Sequence, residues 1–318
     1  MADSIIQDHD DEVDRRGFLR CMAWAGTGMA WMAGSGILRS APLPRLGRAA
    51  DARLATGDFV FAQISDSHIG FAKDANKDVV STLQAALSRI QALPVAPDFL
   101  IHTGDLTHLS KPEEFDTLQQ VLISAKVGQV FYVPGEHDVL ADDGRQYLER
   151  YGKGTKGQGW FSFDHKGVHF VGLVNVVNLK AGGLGNLGAE QLAWLEQDLK
   201  GRPSSMPIVV FAHIPLWSVY PEWGWGTDDG AQALGYLRRF GSVTVLNGHI
   251  HQTMQKIEGH VTFHTAASTA FPQPAPGAAP SPGPMTVPAA RLGSLLGLTD
   301  VTFVRRSHAL AIVDQTLG

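Results

Sequence analysis

The chain has 318 residues, 44% hydrophobic and 18% charged, which is apolar enough to build a sizeable core and speaks against disorder. Its net charge of -5 and pI near 6.2 argue against a general binder of nucleic-acid duplexes or anionic membranes, because no basic excess is available to neutralise phosphates. Cys21 is the only cysteine, so an intramolecular disulfide and a cysteine-based metal site are both excluded.

Residues 1–50 are set apart. Asp14-Arg15-Arg16-Gly17-Phe18-Leu19-Arg20 precedes an apolar, uncharged stretch from Cys21 to Leu38. Paired arginines before a weakly hydrophobic, Gly- and Ala-rich segment resemble a bacterial twin-arginine export signal, with cleavage expected near Ala41 or Ala50. That resemblance implies the twin-arginine machinery as a partner, a periplasmic or exported location, and export after folding, with metals already loaded. The alternatives are an uncleaved N-terminal anchor or a chance arginine pair.

From Phe59 onward apolar runs alternate with helical patterns. Phe59 to Ile64 reads as a strand ending at Asp66, and Val79, Leu83, Leu87 and Ile90 recur at helical spacing. Phe99 to Ile101 is the next strand, ending at Gly104-Asp105. Pro112 opens a helix with Phe115, Leu118, Leu122 and Ala125 on one face, and Lys111, Glu113 and Glu114 read as its solvated start. Val130 to Val133 is a third strand, ending at Gly135-Glu136. Trp160–Phe163 and Val168–Val174 form a strand pair turning at Lys166-Gly167. Leu192, Leu195 and Leu199 mark a helix; Ile208–Phe211 and Val243–Leu246 are strands running into His213 and His249.

This order predicts an α/β domain over residues 54–270, its sheets sandwiched between helices. Ligands in such sheets sit beyond the carboxyl ends of the strands. Pro272, Pro274, Pro276, Pro280, Pro282, Pro284 and Pro288 make 271–290 a long irregular loop. In 291–318, Val301–Val304 and Ala309–Val313 are strands expected to return to an edge of the core.

The chemistry lies at the strand ends. Asp66-x-His68, Gly104-Asp105, Gly135-Glu136-His137-Asp138, His213 and Gly248-His249-x-His251 follow one another in order. Imidazoles and carboxylates so placed suit two adjacent cations such as Fe, Mn or Zn, which activate water against a phosphate ester. His249 and His251 alternate on what reads as extended chain, so both should point to one face.

These motifs resemble the calcineurin-like metallophosphoesterase superfamily, over roughly Asp58 to Ser268. The resemblance implies a four-layer α/β/β/α sandwich and two metal ions. Asp66, His68 and His251 would bind the first, Asp105 would bridge, and His213, His249 and the residue at Glu136 would complete the second. A hydroxide shared by the metals would attack phosphorus. His137 would meet the leaving-group oxygen, with Asp138 orienting its ring. Glu136 stands where the family has Asn. It adds a negative charge, which would tighten hard ions and weaken their pull on water; a second site that Glu136 leaves weak or empty is the other reading.

Asp66-Ser67-His68-Ile69, Gly104-Asp105-Leu106-Thr107 and Pro112-Glu113-Glu114-Phe115 look most like the branch of bacterial cyclic-nucleotide and glycerophosphodiester phosphodiesterases. A phosphodiester small molecule is therefore the expected substrate. A phosphomonoesterase and a non-catalytic metal-binding envelope protein are the alternatives. His108 is close enough to Asp105 to line the cleft. Trp217, Tyr220 and Trp223, with Trp225, would stack a flat substrate group; a loop packed on itself is the competing reading. His102, His165, His169, His260 and His264 read as core histidines.

Overall fold

Side chains of a strand point alternately to its two faces, and here both faces are apolar, so each sheet must be covered twice. The computed structural model describes residues 29–34, 37–42, 54, 56–126 and 128–318. The Arg15-Arg16 pair and Ala50 lie outside them, whereas Met29–Gly34 and Ile37–Pro42, which hold part of the apolar stretch and Ala41, lie inside.

One sheet contains β1 (Met29–Gly34), β2 (Ile37–Pro42), β3 (Phe59–Ile64), β4 (Leu100–His102), β5 (Val130–Tyr132), β12 (Gly297–Val304) and β13 (Ala309–Thr316), in the order β2-β1-β13-β12-β3-β4-β5. The other contains β6 (Phe161–His165), β7 (Val168–Gly172), β8 (Ile208–Phe211), β9 (Val243–Asn247), β10 (Met254–Glu258) and β11 (Val261–Thr265), in the order β10-β11-β9-β8-β7-β6. Phe59 and Phe61 of β3 meet Phe170, Val209 and Phe211 between the sheets. The alternate residues Ala62 and Ile64 face α1 (Val79–Gln91), α2 (Pro112–Ser124) and α3 (Arg145–Tyr151). On the second sheet, Ile208 and Val210 face α4 (Ala189–Leu199) and α5 (Gly230–Leu237). The result is the expected helix–sheet–sheet–helix stack.

The C-terminal strands do not take the edge position expected of them. β12 pairs antiparallel with β3 through Val301↔Phe61 and with β13 through Val301↔Ile312, so it lies inside the sheet. Val301 and Phe303 fill the inter-sheet core, and that burial draws the strand inward. Residues 272–288 have no regular helix or strand, as seven prolines dictate. Helix α3, helix α5 and the β10–β11 hairpin were not legible, being short or lacking a clear apolar period.

Parallel pairing positions the site. Ile64, His102 and Tyr132 stand side by side in β3, β4 and β5, so the three strands end on one line. β8 and β9 are parallel too, with Phe211 opposite Leu246. The loops leaving these five strands carry Asp66, Asp105, Glu136, His213 and His249.

Candidate metal centre

The loops are stitched together before any side chain is considered. The amide of Asp66 donates to the Gly104 carbonyl at 2.9 Å, that of His68 to Asp105 at 2.9 Å, and that of Gly248 to His213 at 3.0 Å. A Cβ on Gly104 would stand 2.5 Å from His213 Nδ1, and its φ of +98° already favours glycine. A side chain at Gly248 would run into Ser65 and Asp66. The glycines are where they are because ligand-bearing loops pass within contact of them.

Two groups of side chains converge. Asp66, His68, Asp105 and His251 are all buried and bring ligand atoms within 4.8 Å of one another. His68 Nε2 lies 3.2 Å from His251 Nε2 and 3.4 Å from Asp105 Oδ2, and His251 Nε2 lies 3.3 Å from Asp66 Oδ1. Glu136, His213 and His249 form the second group, with the Glu136 carboxylate 3.0 Å from each ring. Asp105 stands between the two: its Oδ2 is also 3.5 Å from His213 Nε2.

The donor set fits a pair of cations. Glu136 Oε2, His213 Nε2 and both ring nitrogens of His249 are buried without a hydrogen-bond partner, so their close approaches lack hydrogen-bond alignment. Such groups are costly unless something else meets them. Burial holds His68 well below the ordinary imidazole pKa, with His251 adding to it, so the ring is neutral as a ligand must be. Burial opposes charge on Asp66, yet His251, His213 and Ser65 hold its carboxyl down at about 2. Glu136 resists burial in the same way and is pulled well below the carboxylate range by His249 and His213.

Backbone carbonyls set the rings. Nδ1 of His213 donates to Thr103 at 2.7 Å, and Nδ1 of His251 donates to Phe271 at 2.6 Å, so each presents Nε2 inward. Asp66, His68, Asp105, His249 and His251 have φ of 54, 41, 52, 70 and 53°, left-handed values that cost a non-glycine residue about 1–3 kcal/mol. This corrects the one-face reading of His249 and His251. They lie in a bend beyond β9, not on extended chain, and the left-handed backbone sends the two rings to different groups.

His137 Nδ1 donates to the His108 carbonyl at 2.7 Å, which leaves Nε2 free. Burial disfavours the imidazolium, but Asp105 and Glu136 outweigh it and raise the pKa. Asp138 does not hold this ring. It accepts from the amides of Leu106, Thr107 and Gly135 at 3.0, 2.8 and 2.8 Å and from the Thr107 hydroxyl at 2.8 Å, so it ties two loops together. Burial and the neighbouring Asp105 push its carboxyl up to about 7 against those donors.

His108 does line the group: it stacks on His137 with centroids 4.9 Å apart, and its Nδ1 is 3.4 Å from His68 Nδ1. Glu114, expected in solvent, is buried, and its Oε2 accepts from the Leu109 amide at 2.8 Å, which fixes the His108 loop. Phe271 and Ser268 escaped sequence reasoning. Phe271 stacks on His68 at 4.7 Å, and Ser268 Oγ donates to the Asp66 carbonyl at 2.8 Å. Ala-Ser-Thr-Ala-Phe carries no local signal of such a role.

The aromatic loop packs on itself and on its neighbours. Trp217 lies against Phe263 at 4.9 Å in the cluster beneath α4 and α5. Tyr220 meets Trp223 edge to face at 5.2 Å, and Trp223 meets buried Trp225 at 5.1 Å. Trp217, Tyr220 and Trp223 are each partly exposed, and their ring contacts run within the loop and to Phe263. His102, His169 and His264 are buried as expected, His165 is half-buried, and His260 is exposed in the β10–β11 turn.

The family model described as Calcineurin-like phosphoesterase matches residues 59–253. A 3',5'-cyclic-nucleotide phosphodiesterase of Nostoc sp. is 28% identical over 217 residues, 66% of this chain and 78% of that one. A probable glycerophosphodiester phosphodiesterase of Arcobacter nitrofigilis is 26% identical over 226 residues, again 66% and 78%. Among solved structures, a dimetal phosphatase from Danio rerio superposes with a TM-score of 0.55 at 14% identity, covering 82% of this chain and 99% of the other. Purple acid phosphatase from yellow lupin gives 0.57 at 12% identity, covering 83% and 52%. At those identities the structures speak for the fold alone.

Proposed function

The chain belongs to the calcineurin-like phosphoesterase family, and on that footing we propose that it hydrolyses a phosphodiester with two bound metal ions. That it is a hydrolase acting on ester bonds follows from the family and its phosphodiesterase relatives. The observation that carries the two-metal reading is Asp105, whose Oδ2 lies 3.4 Å from His68 Nε2 and 3.5 Å from His213 Nε2. Asp66, His68 and His251 would hold one ion, Glu136, His213 and His249 the other, and Asp105 both. The mixed nitrogen and oxygen donors suit Fe, Mn or Zn. When bound, such a pair supplies Lewis acidity and an acidified water.

The chain's own residues do the rest. His137, anchored through Nδ1, offers Nε2 to the oxygen that departs when the P–O bond breaks, and gives it a proton. Asp105 Oδ1 accepts from the His137 amide at 3.0 Å, which joins the leaving-group residue to the bridging carboxylate. The products are an alcohol and a phosphomonoester. Preference for a diester rests on the names of the relatives.

The test pairs elemental analysis with hydrolysis of bis-p-nitrophenyl phosphate and p-nitrophenyl phosphate by the same sample. About two metal ions per chain and a kcat/KM at least about tenfold higher for the diester are expected. A preference for the monoester would make it a phosphomonoesterase, and retained metal with no hydrolysis would make it a binding protein. Export by the twin-arginine route to the periplasm is likewise proposed, on Arg15-Arg16 and the apolar stretch after them. Replacing both arginines by lysine should trap the protein in the cytoplasm; unchanged fractionation would refute the route.

A further inference from the structure

A cavity of about 350 Å³ has His251 and Gln252 in its lining and is walled by the 272–285 segment, the turn at 294–296, the start of β12 and the end of β13. Its volume is in the range of small-molecule sites. The wall is largely apolar, with Met285, Leu295 and Leu298. Asp314 is its one acidic side chain, and neither lysine nor arginine lines it among the described residues. Asp314 is built in: buried His264 approaches it through Nε2 at 3.0 Å, and Thr299 Oγ1 donates to it at 2.8 Å. Its side chain is still 30% exposed.

Two of the lining amides have spent their donors elsewhere. Gln252 spends its amide nitrogen on the carbonyls of Gln273 and Pro274, at 3.1 and 2.8 Å. Gln273 spends its own on the His249 carbonyl at 3.1 Å, while its Oε1 is buried with no partner. Asp314 already takes contacts from His264 and Thr299, but its exposed part lines the cavity, and together with the unmet Gln273 oxygen it favours a donor that carries positive charge.

We propose that this cavity binds a small organic amine, whose ammonium group meets Asp314 and whose carbon frame lies on Met285 and Leu295. The amine is either a free molecule or the alcohol arm of the ester itself; both present the same chemistry. Gln273 and His251 belong to the cavity and touch the metal-centre loop, so occupancy is felt at His249.

Benzylamine and benzyl alcohol, matched in shape and different in charge, test it by calorimetry on the full metal-loaded chain. Benzylamine should bind at least about tenfold more tightly than benzyl alcohol, and Asp314→Asn should remove that margin. Met285→Trp, which fills the cavity and leaves Asp314 with its partners, should abolish binding of both probes. Equal affinity for the two probes, or benzylamine binding untouched by Met285→Trp, would overturn the assignment. A KM that rises in Asp314→Asn only for an ester with an amine-bearing arm identifies the ester as the source. A change in turnover of amine-free esters on adding benzylamine identifies a separate molecule. Binding is read without turnover, so failure of the hydrolase reading would leave this result standing.

Discussion

His169 and His251 are both buried histidines among carboxylates, and they are wired in opposite ways. His169 Nδ1 lies 2.6 Å from Asp164 and its Nε2 2.7 Å from Asp198, with Arg202 closing on Asp164 at 3.0 Å. Every strong donor and acceptor there is used. His251 gives Nδ1–H to a neutral carbonyl, that of Phe271, and keeps Nε2 for the space it shares with Asp66, His68 and Asp105. A ring pinned by carboxylates at both nitrogens is a strut between β7, β6 and α4. A ring anchored at one nitrogen only is ready to bind a cation. Residue counts do not separate the two; the fate of the second nitrogen does.

Breaking the two assemblies should therefore give opposite phenotypes. The largest effect is expected from Asp105→Ala, which removes the proposed shared ligand: kcat/KM should fall at least about a thousandfold, roughly 4 kcal/mol of transition-state stabilisation, and metal content should fall with it. Normal turnover of a diester by this variant would remove Asp105 from the bridging position. Stripping metal with a chelator should destabilise the fold, by roughly 4 kcal/mol if the ion had been present at a thousand times its Kd. An unchanged melting curve would mean that Asp66, Asp105 and Glu136 tolerate one another without a cation.

His169→Ala should do the reverse. It should cost about 2 kcal/mol of stability, below the usual loss on breaking a buried ion pair because Asp164 is 58% exposed, and leave metal content and kcat unchanged. A loss of metal in this variant would erase the distinction between the two assemblies. Glu136→Asn removes one charge from the second group, and a drop in affinity for one of the two proposed ions on the order of tenfold, about 1.4 kcal/mol, is expected by metal titration. Identical titration curves would show that Glu136 merely fills space.

The smallest effect concerns acid. Burial raises the Asp198 carboxyl, but hydrogen bonds from His169 and Ser162 outweigh it and hold it below its usual range. A depressed carboxylate contributes stability above its unfolded pKa of about 3.9 and loses it as pH falls through the lower folded value. Between pH 5 and pH 3 the wild type should therefore lose more stability than Asp198→Asn, by less than about 1 kcal/mol because the side chain keeps some contact with solvent. Parallel acid melts would show that the strut carries no such charge.

The amino-acid sequence by itself determined the two-sided apolar strands, the helices at Val79–Gln91, Pro112–Ser124 and Ala189–Leu199, and the blocks that place Asp66, His68, Asp105, Glu136, His213, His249 and His251 beyond strand ends. These are local properties: hydrophobic period, a proline at a helix start, and residue type at the end of an apolar run. It did not determine what faces what. Ser268 reaches Asp66 across 202 residues, Asp138 turns to the Leu106–Thr107 amides instead of its neighbour's ring, Trp217 settles on Phe263, and β12 enters the middle of a sheet. Those choices follow from competition for buried surface and for unmet hydrogen bonds among segments far apart in the chain, and only the folded chain brings the competitors together.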